Sequence, residues 1–195
     1  MPTLITNLTN VKYLADFSGS NGFLILDKKN YFFTDFRYRG IAMKLEKSKT
    51  KIPFKFIEID ADLEKNLKKI LKNAKKIEFE DSNLTVQNLK YWQKKLDWLK
   101  FVPIKKTVES IRLSKDSQEL KKIKKSQEIN KKTLECIKKV VKSGITELEI
   151  AWKIKDIGHQ LGAQDISFEP IVAFSENSAI PHHQNTNRKL KKGDV

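Results

Sequence analysis

Two adjacent histidines, His182 and His183, follow Pro181 near the end of a 195-residue chain whose third histidine is His159. Imidazole changes charge near neutral pH, so either ring could carry a proton or polarise a peptide carbonyl. The residues before the pair are suited to holding such a group still. Ile171, Val172 and Phe174 form a strand-sized apolar run, with Pro170 where a missing backbone donor does least harm. Ser175-Glu176-Asn177-Ser178 then breaks the pattern, and Pro181 stiffens the chain directly before the histidines. A loop hung from a strand in this way can present an imidazole to a ligand. On the pair alone the commoner case is a bystander, since surface histidines without perturbing neighbours usually do no chemistry.

The string around the pair is more specific. Pro170-Ile171-Val172-Ala173-Phe174, then Glu176-Asn177-Ser178-Ala179, Pro181-His182-His183, and Arg188-Lys189-Leu190 with Gly193-Asp194-Val195, resembles the beginning of the catalytic domain of Xaa-Pro aminopeptidases and prolidases. These are proline-specific metallopeptidases of the pita-bread fold. The resemblance implies that His182 is catalytic, hydrogen-bonding substrate and the tetrahedral intermediate beside a two-metal centre. His183 falls where the family varies and is a candidate substrate contact only. Glu176 and Asn177 are expected to shape the loop, and Asp194 to belong to a turn that opens the next strand. Two divalent metal ions, manganese by preference, are implied for the full-length relative. Its ligands, two aspartates, a histidine and two glutamates, begin after the Gly-Asp-Val strand. Upstream there is no His-Glu-x-x-His, no cysteine pair and no carboxylate–histidine cluster at metal spacing, so no metal ligand is assigned in this chain. The chain alone is therefore expected to be inactive.

The first hundred residues carry the same resemblance. Asn10 to Leu14, the Gly19-Ser20-Asn21-Gly22 turn, a hairpin and Thr34-Asp35-Phe36-Arg37-Tyr38 occur in the order found in the creatinase-like N-terminal domain of these peptidases. Asp35, Arg37 and Tyr38 could be functional, but a helix start with Asp35 at the positive end of the dipole and an ion pair to Arg37 explains them as well.

These residues must be positioned by an α/β scaffold. Phe23–Leu26 and Tyr31–Thr34 read as a hairpin, Phe54–Ile59, Lys76–Phe79 and Trp98–Val102 as further strands. Helices fall between them, one from Asp60 or Asp62 with Leu63, Leu67, Ile70 and Leu71 on one face, another over Thr85–Leu96. The alternation predicts helices packed on a mixed sheet. Pro103 and Lys105-Lys106-Thr107 mark a domain boundary, giving residues 1–105 and 106–195. Beyond it, Asp116 with Glu119 forms a capping box for a long amphipathic helix, and Thr146 with Glu149 forms one for the next. The resemblance implies that this second part is the first helices and strand of an incomplete pita-bread α+β domain.

A net charge of +15 raises the alternative of a polyanion binder. The excess is almost all lysine, spread over helix faces, with arginine at only four positions, so specific nucleic-acid readout is not expected. One cysteine, Cys136, excludes an internal disulfide, and no apolar run approaches a membrane span. The expectation is a cytoplasmic homodimer acting on short proline-containing peptides, with no membrane partner. The competing expectation is a non-catalytic relative that binds peptides or proteins on the same fold.

Overall fold

Thr3–Ile5 (β1) is too short to show a period of two in the sequence, yet it lies inside the sheet. The computed structural model describes residues 1–194. Its six strands are β1, Phe23–Leu26 (β2), Tyr31–Thr34 (β3), Lys55–Glu58 (β4), Lys76–Glu80 (β5) and Lys100–Ile104 (β6). They are ordered β4-β3-β2-β1-β5-β6. β2 runs antiparallel to both β1 and β3, while β1–β5, β3–β4 and β5–β6 pair in parallel. The mixed sheet expected from the alternation of strands and helices is thus present.

Helices cover both faces. On one, Leu63–Leu71 (α3) and Val86–Lys95 (α4) bury Leu67, Leu71 and Trp92 against Leu4, Ile25, Phe33 and Ile77. On the other, Leu8–Ala15 (α1) and Arg39–Glu46 (α2) bury Val11, Leu14 and Ala42 against Ile5, Leu24 and Phe32. Phe17 packs on this second core between Phe32 and Tyr38, with ring centroids 4.7 and 5.2 Å away. Gly19 leaves room for it, because a Cβ there would lie 2.2 Å from Phe17 Cζ. Phe17 is fully buried and has nowhere to retreat. A Gly19→Ala change is therefore expected to cost about 1–3 kcal/mol through overpacking; an unchanged urea midpoint would contradict that packing.

Two compact units result, Met1–Ser114 and Lys115–Val195. The division falls nine residues after the boundary placed at 105/106. The helix Thr107–Leu113 (α5) is the reason: Val108 is buried in the first unit's core, and Arg112 Nη1 donates to Asn10 Oδ1 at 2.9 Å.

The second unit is built on Ser117–Val140 (α6) and Glu147–Gln160 (α7). Both expected capping boxes form. Asp116 accepts from the Gln118 and Glu119 amides while Glu119 returns to the Asp116 amide, and Thr146 and Glu149 do the same for α7. Ile137, Ile145, Ile150 and Phe174 make its core. The run expected as a strand, residues 170–174, forms no ladder among the described residues. Side chains take up its backbone groups instead. The Val172 amide donates to Asn185 Oδ1, Asn185 Nδ2 to the Pro170 carbonyl, and the Phe174 amide to Glu147. Val195 lies outside the described residues, so the strand that the Gly193-Asp194 turn was expected to open is not assigned. No described helix is long and apolar enough to cross a membrane.

Candidate functional site

The loop that carries the two histidines is gathered onto one carboxylate. Glu147 is the first residue of α7, directly after the Thr146 cap, where the helix dipole favours negative charge. Its side chain is completely buried. Oε1 accepts from the Phe174 amide at 3.0 Å and Asn177 Nδ2 at 2.8 Å. Oε2 accepts from the Thr186 amide at 2.9 Å, Thr186 Oγ1 at 2.7 Å and His183 Nε2 at 2.8 Å. Burial pushes this carboxyl upward. Donation by Asn177, His183, Thr186 and the Phe174 amide outweighs it and holds Glu147 well below the usual carboxylate range. An ionised carboxylate can only accept, so His183 presents Nε2–H to it.

Around that anchor the loop folds back on the start of α7. A short 3-10 turn, Ser175–Ala179, follows Phe174, with Ser175 at φ +50°. Arg188 spans the turn, its Nε donating to the Phe174 carbonyl at 3.1 Å and its Nη2 to Glu176 at 2.8 Å. The return segment pairs with the residues before α7. The Leu190 amide donates to the Ile145 carbonyl at 2.8 Å, and Thr146 forms an antiparallel bridge with Lys189. Asp194 accepts from the Lys191 amide at 2.9 Å, closing a turn.

The two candidate histidines part company here. His182 is exposed, and no described group hydrogen-bonds its ring. His183 is 9% exposed, with Nε2 engaged by Glu147. The candidate substrate contact therefore has its Nε2 committed to anchoring the loop. Asn177 and Glu176 hold the loop through Glu147 and Arg188. His159 is exposed near the end of α7.

Elsewhere, Asp35 caps the 3-10 turn Phe36–Tyr38 and pairs with Arg37 at 2.8 Å. Donation by Arg37 and then Asn21 holds its carboxyl low. Tyr38 Oη bonds the Ser20 hydroxyl and amide. The trio thus fastens the Gly19–Gly22 turn, which accounts for it without chemistry. Sequence reasoning missed Glu147, whose only local mark is its place after a cap residue.

Residues 3–114 match the creatinase/prolidase N-terminal domain. The chain belongs to the creatinase/prolidase family. Residues 121–195 match metallopeptidase family M24. An uncharacterized peptidase of Bacillus subtilis, YqhT, is 29% identical over 196 residues, covering 98% of this chain and 54% of that protein. An Xaa-Pro dipeptidase structure from Bacillus anthracis superposes with TM-score 0.87 at 27% identity, over 99% of this chain and 54% of that one. An X-Pro aminopeptidase from Thermotoga maritima gives 0.85 at 26%, over 99% and 56%. This creatinase/prolidase chain therefore spans about half the length of the relatives it matches. The M24 family implies divalent metals. Among the described residues, however, no group of three His, Cys, Asp or Glu side chains could hold an ion, so the residues present do not fit that role.

Proposed function

We propose that this chain is the N-terminal portion of a peptidase that hydrolyses bonds preceding proline in short peptides. The observation that carries this reading is the anchored loop itself. Glu147 fixes five donors of the segment 174–186 and leaves the His182 imidazole exposed beside them. An imidazole in that position can donate a hydrogen bond to a peptide carbonyl oxygen, or return a proton to a leaving amine. The M24 match and the dipeptidase and aminopeptidase structures support the substrate class. Two divalent ions, manganese in this reading, would supply an activated water, and side chains outside these residues would hold them. A cytoplasmic homodimer is the form we propose for the whole protein.

The test has two arms. The 195-residue chain, given Ala-Pro or Gly-Pro with manganese, is expected to show no turnover; chelator-sensitive hydrolysis would end the claim that further residues are needed. In a version extended past Val195, proline peptides should be cleaved, and His182→Ala should slow cleavage by about 100-fold or more at unchanged metal content. Peptide binding without cleavage by that extended protein would favour the non-catalytic binding module instead.

A further inference from the structure

One end of the first unit's sheet is lined with lysine. β1, β3, β4, β5 and β6 all run the same way, so their N-terminal ends share one rim with the β2–β3 hairpin. β4, β5 and β6 each begin with an exposed lysine, Lys55, Lys76 and Lys100, and the hairpin adds Lys28 and Lys29. At the opposite rim the residues ending or following β3, β4 and β5 are acidic: Asp35, Glu58 and Glu80. Asp27 and Asp97 interrupt the turns of the basic rim, Glu46 reaches the Phe56 amide next to Lys55, and Lys105 and Lys106 follow β6 at the acidic rim.

The basic rim is concave where α3 leaves β3 and β4 partly uncovered. A cleft of about 810 Å³ opens there, lined by Lys28, Lys29, Lys55, Lys69 and Lys72, with Tyr31 half-buried in its wall. No Asp or Glu is among its lining residues. Five like charges around one hollow repel one another, and a polyanion relieves that repulsion while releasing its own counterions. Lysine supplies point charges without the planar fork that reads bases or pairs bidentately with phosphate. An aromatic ring beside a cationic track is the arrangement on which an unpaired base stacks. A flat lipid surface would not fill a hollow. Addition of an extended peptide to the β4 edge is obstructed, because the outward Phe56 amide is taken by Glu46 at 3.2 Å.

We propose that this cleft binds single-stranded nucleic acid through its phosphodiester backbone, without sequence preference. The cleft lies wholly within the first unit, shares no residue with the His182 loop and does not depend on the peptidase reading. It refines the expectation from composition: lysine still gives no basis for sequence-specific readout, but these lysines line a hollow rather than a helix face.

The test is anisotropy of a labelled single-stranded oligonucleotide, about a dozen nucleotides long, with the 195-residue chain between roughly 50 and 200 mM salt. A variant with Lys28, Lys29, Lys55, Lys69 and Lys72 changed to Gln is compared with one carrying Gln at Lys121, Lys122, Lys124, Lys125 and Lys131. Each removes five charges from the formal +15. Affinity should fall at least 10-fold in the cleft variant and by less than about 3-fold in the α6 variant. The slope of log K against log salt should shrink by about 2 in the cleft variant only, as expected when about three phosphate contacts are lost. Equal losses in the two variants would reduce the effect to net charge and overturn the proposal. So would non-saturable binding, or tighter binding to phosphatidylserine vesicles than to the oligonucleotide. Circular dichroism melts confirm that both variants are folded.

Discussion

Replacing Glu147 with alanine is expected to unfold the second unit while leaving the first intact. The change removes the acceptor for five donors, two of them backbone amides, from a site with no exposure to water. Breaking a buried, hydrogen-bonded charge cluster of this kind costs about 3–5 kcal/mol. The four-residue core Ile137, Ile145, Ile150 and Phe174 is small, and Phe174 enters it through the amide that Glu147 holds. Hydrogen exchange read by mass spectrometry is the measurement. Amides from Phe174 to Leu190 should lose protection, and those of β1 to β6 should keep it. Native protection at Phe174 and Thr186 would refute the anchoring role. Glu147→Gln separates charge from shape, since its amide keeps one acceptor but turns a donor toward groups that are themselves donors. It should recover only part of the loss.

The same carboxylate sets an acid limit. Its folded pKa lies below the 4.5 of a free glutamate, so the unfolded chain binds the proton more readily. The stability it contributes is complete above pH 4.5 and declines as pH falls from there toward the depressed folded value. Wild-type protection of the loop should therefore weaken below pH 4.5. The Glu147→Gln variant, lacking the titrating group, should show a shallower dependence over that range.

Local features were the legible ones. The capping boxes at Asp116/Glu119 and Thr146/Glu149 need only three residues of spacing, and both formed. The hairpin and α3 follow from period and turn chemistry for the same reason. What a local stretch of sequence does not reveal depends on distant partners. β1 has three residues, and its place in the sheet is set by pairing with β5 more than seventy positions away. Asn7, which accepts from the Thr9 amide as the cap of α1, was the available signal for the helix that follows. Lys105-Lys106 has the composition of a linker, yet Val108 docks α5 onto the first unit. Glu147 gathers donors 27 to 39 residues downstream, which no window on the sequence reveals. Nor could sequence say which of two neighbouring histidines would turn inward.

The second large effect is expected at Asn10, where a single atom changes. Asn10 is fully buried at the junction of α1, β5 and α5. Its Nδ2 donates to Glu80 Oε1 at 2.5 Å and to Glu109 Oε1 at 2.8 Å, while its Oδ1 accepts from Arg112. Glu80 Oε2 meanwhile accepts from the Thr6 and Asn7 amides at 2.7 and 2.8 Å. Asn10's donation helps hold the Glu109 carboxyl below the usual range. Asn10→Asp would replace the two shared hydrogens with an oxygen, placing a third carboxylate against the other two. The expected cost is about 3–5 kcal/mol at pH 7, as for an uncompensated buried charge. Like charges this close raise the cluster's proton affinity in the folded state above that of the unfolded chain. The penalty should then shrink as pH falls from 7 to 5, because a bound proton restores one donor. Asn10→Leu loses the hydrogen bonds without adding charge, so its deficit should stay nearly constant over the same interval. Urea unfolding of the three proteins at the two pH values decides the matter. A deficit for Asn10→Asp that is the same at pH 5 as at pH 7 would mean that Arg112 alone neutralises the added charge, and that the shared hydrogens of Asn10 are not what joins α5 to the sheet.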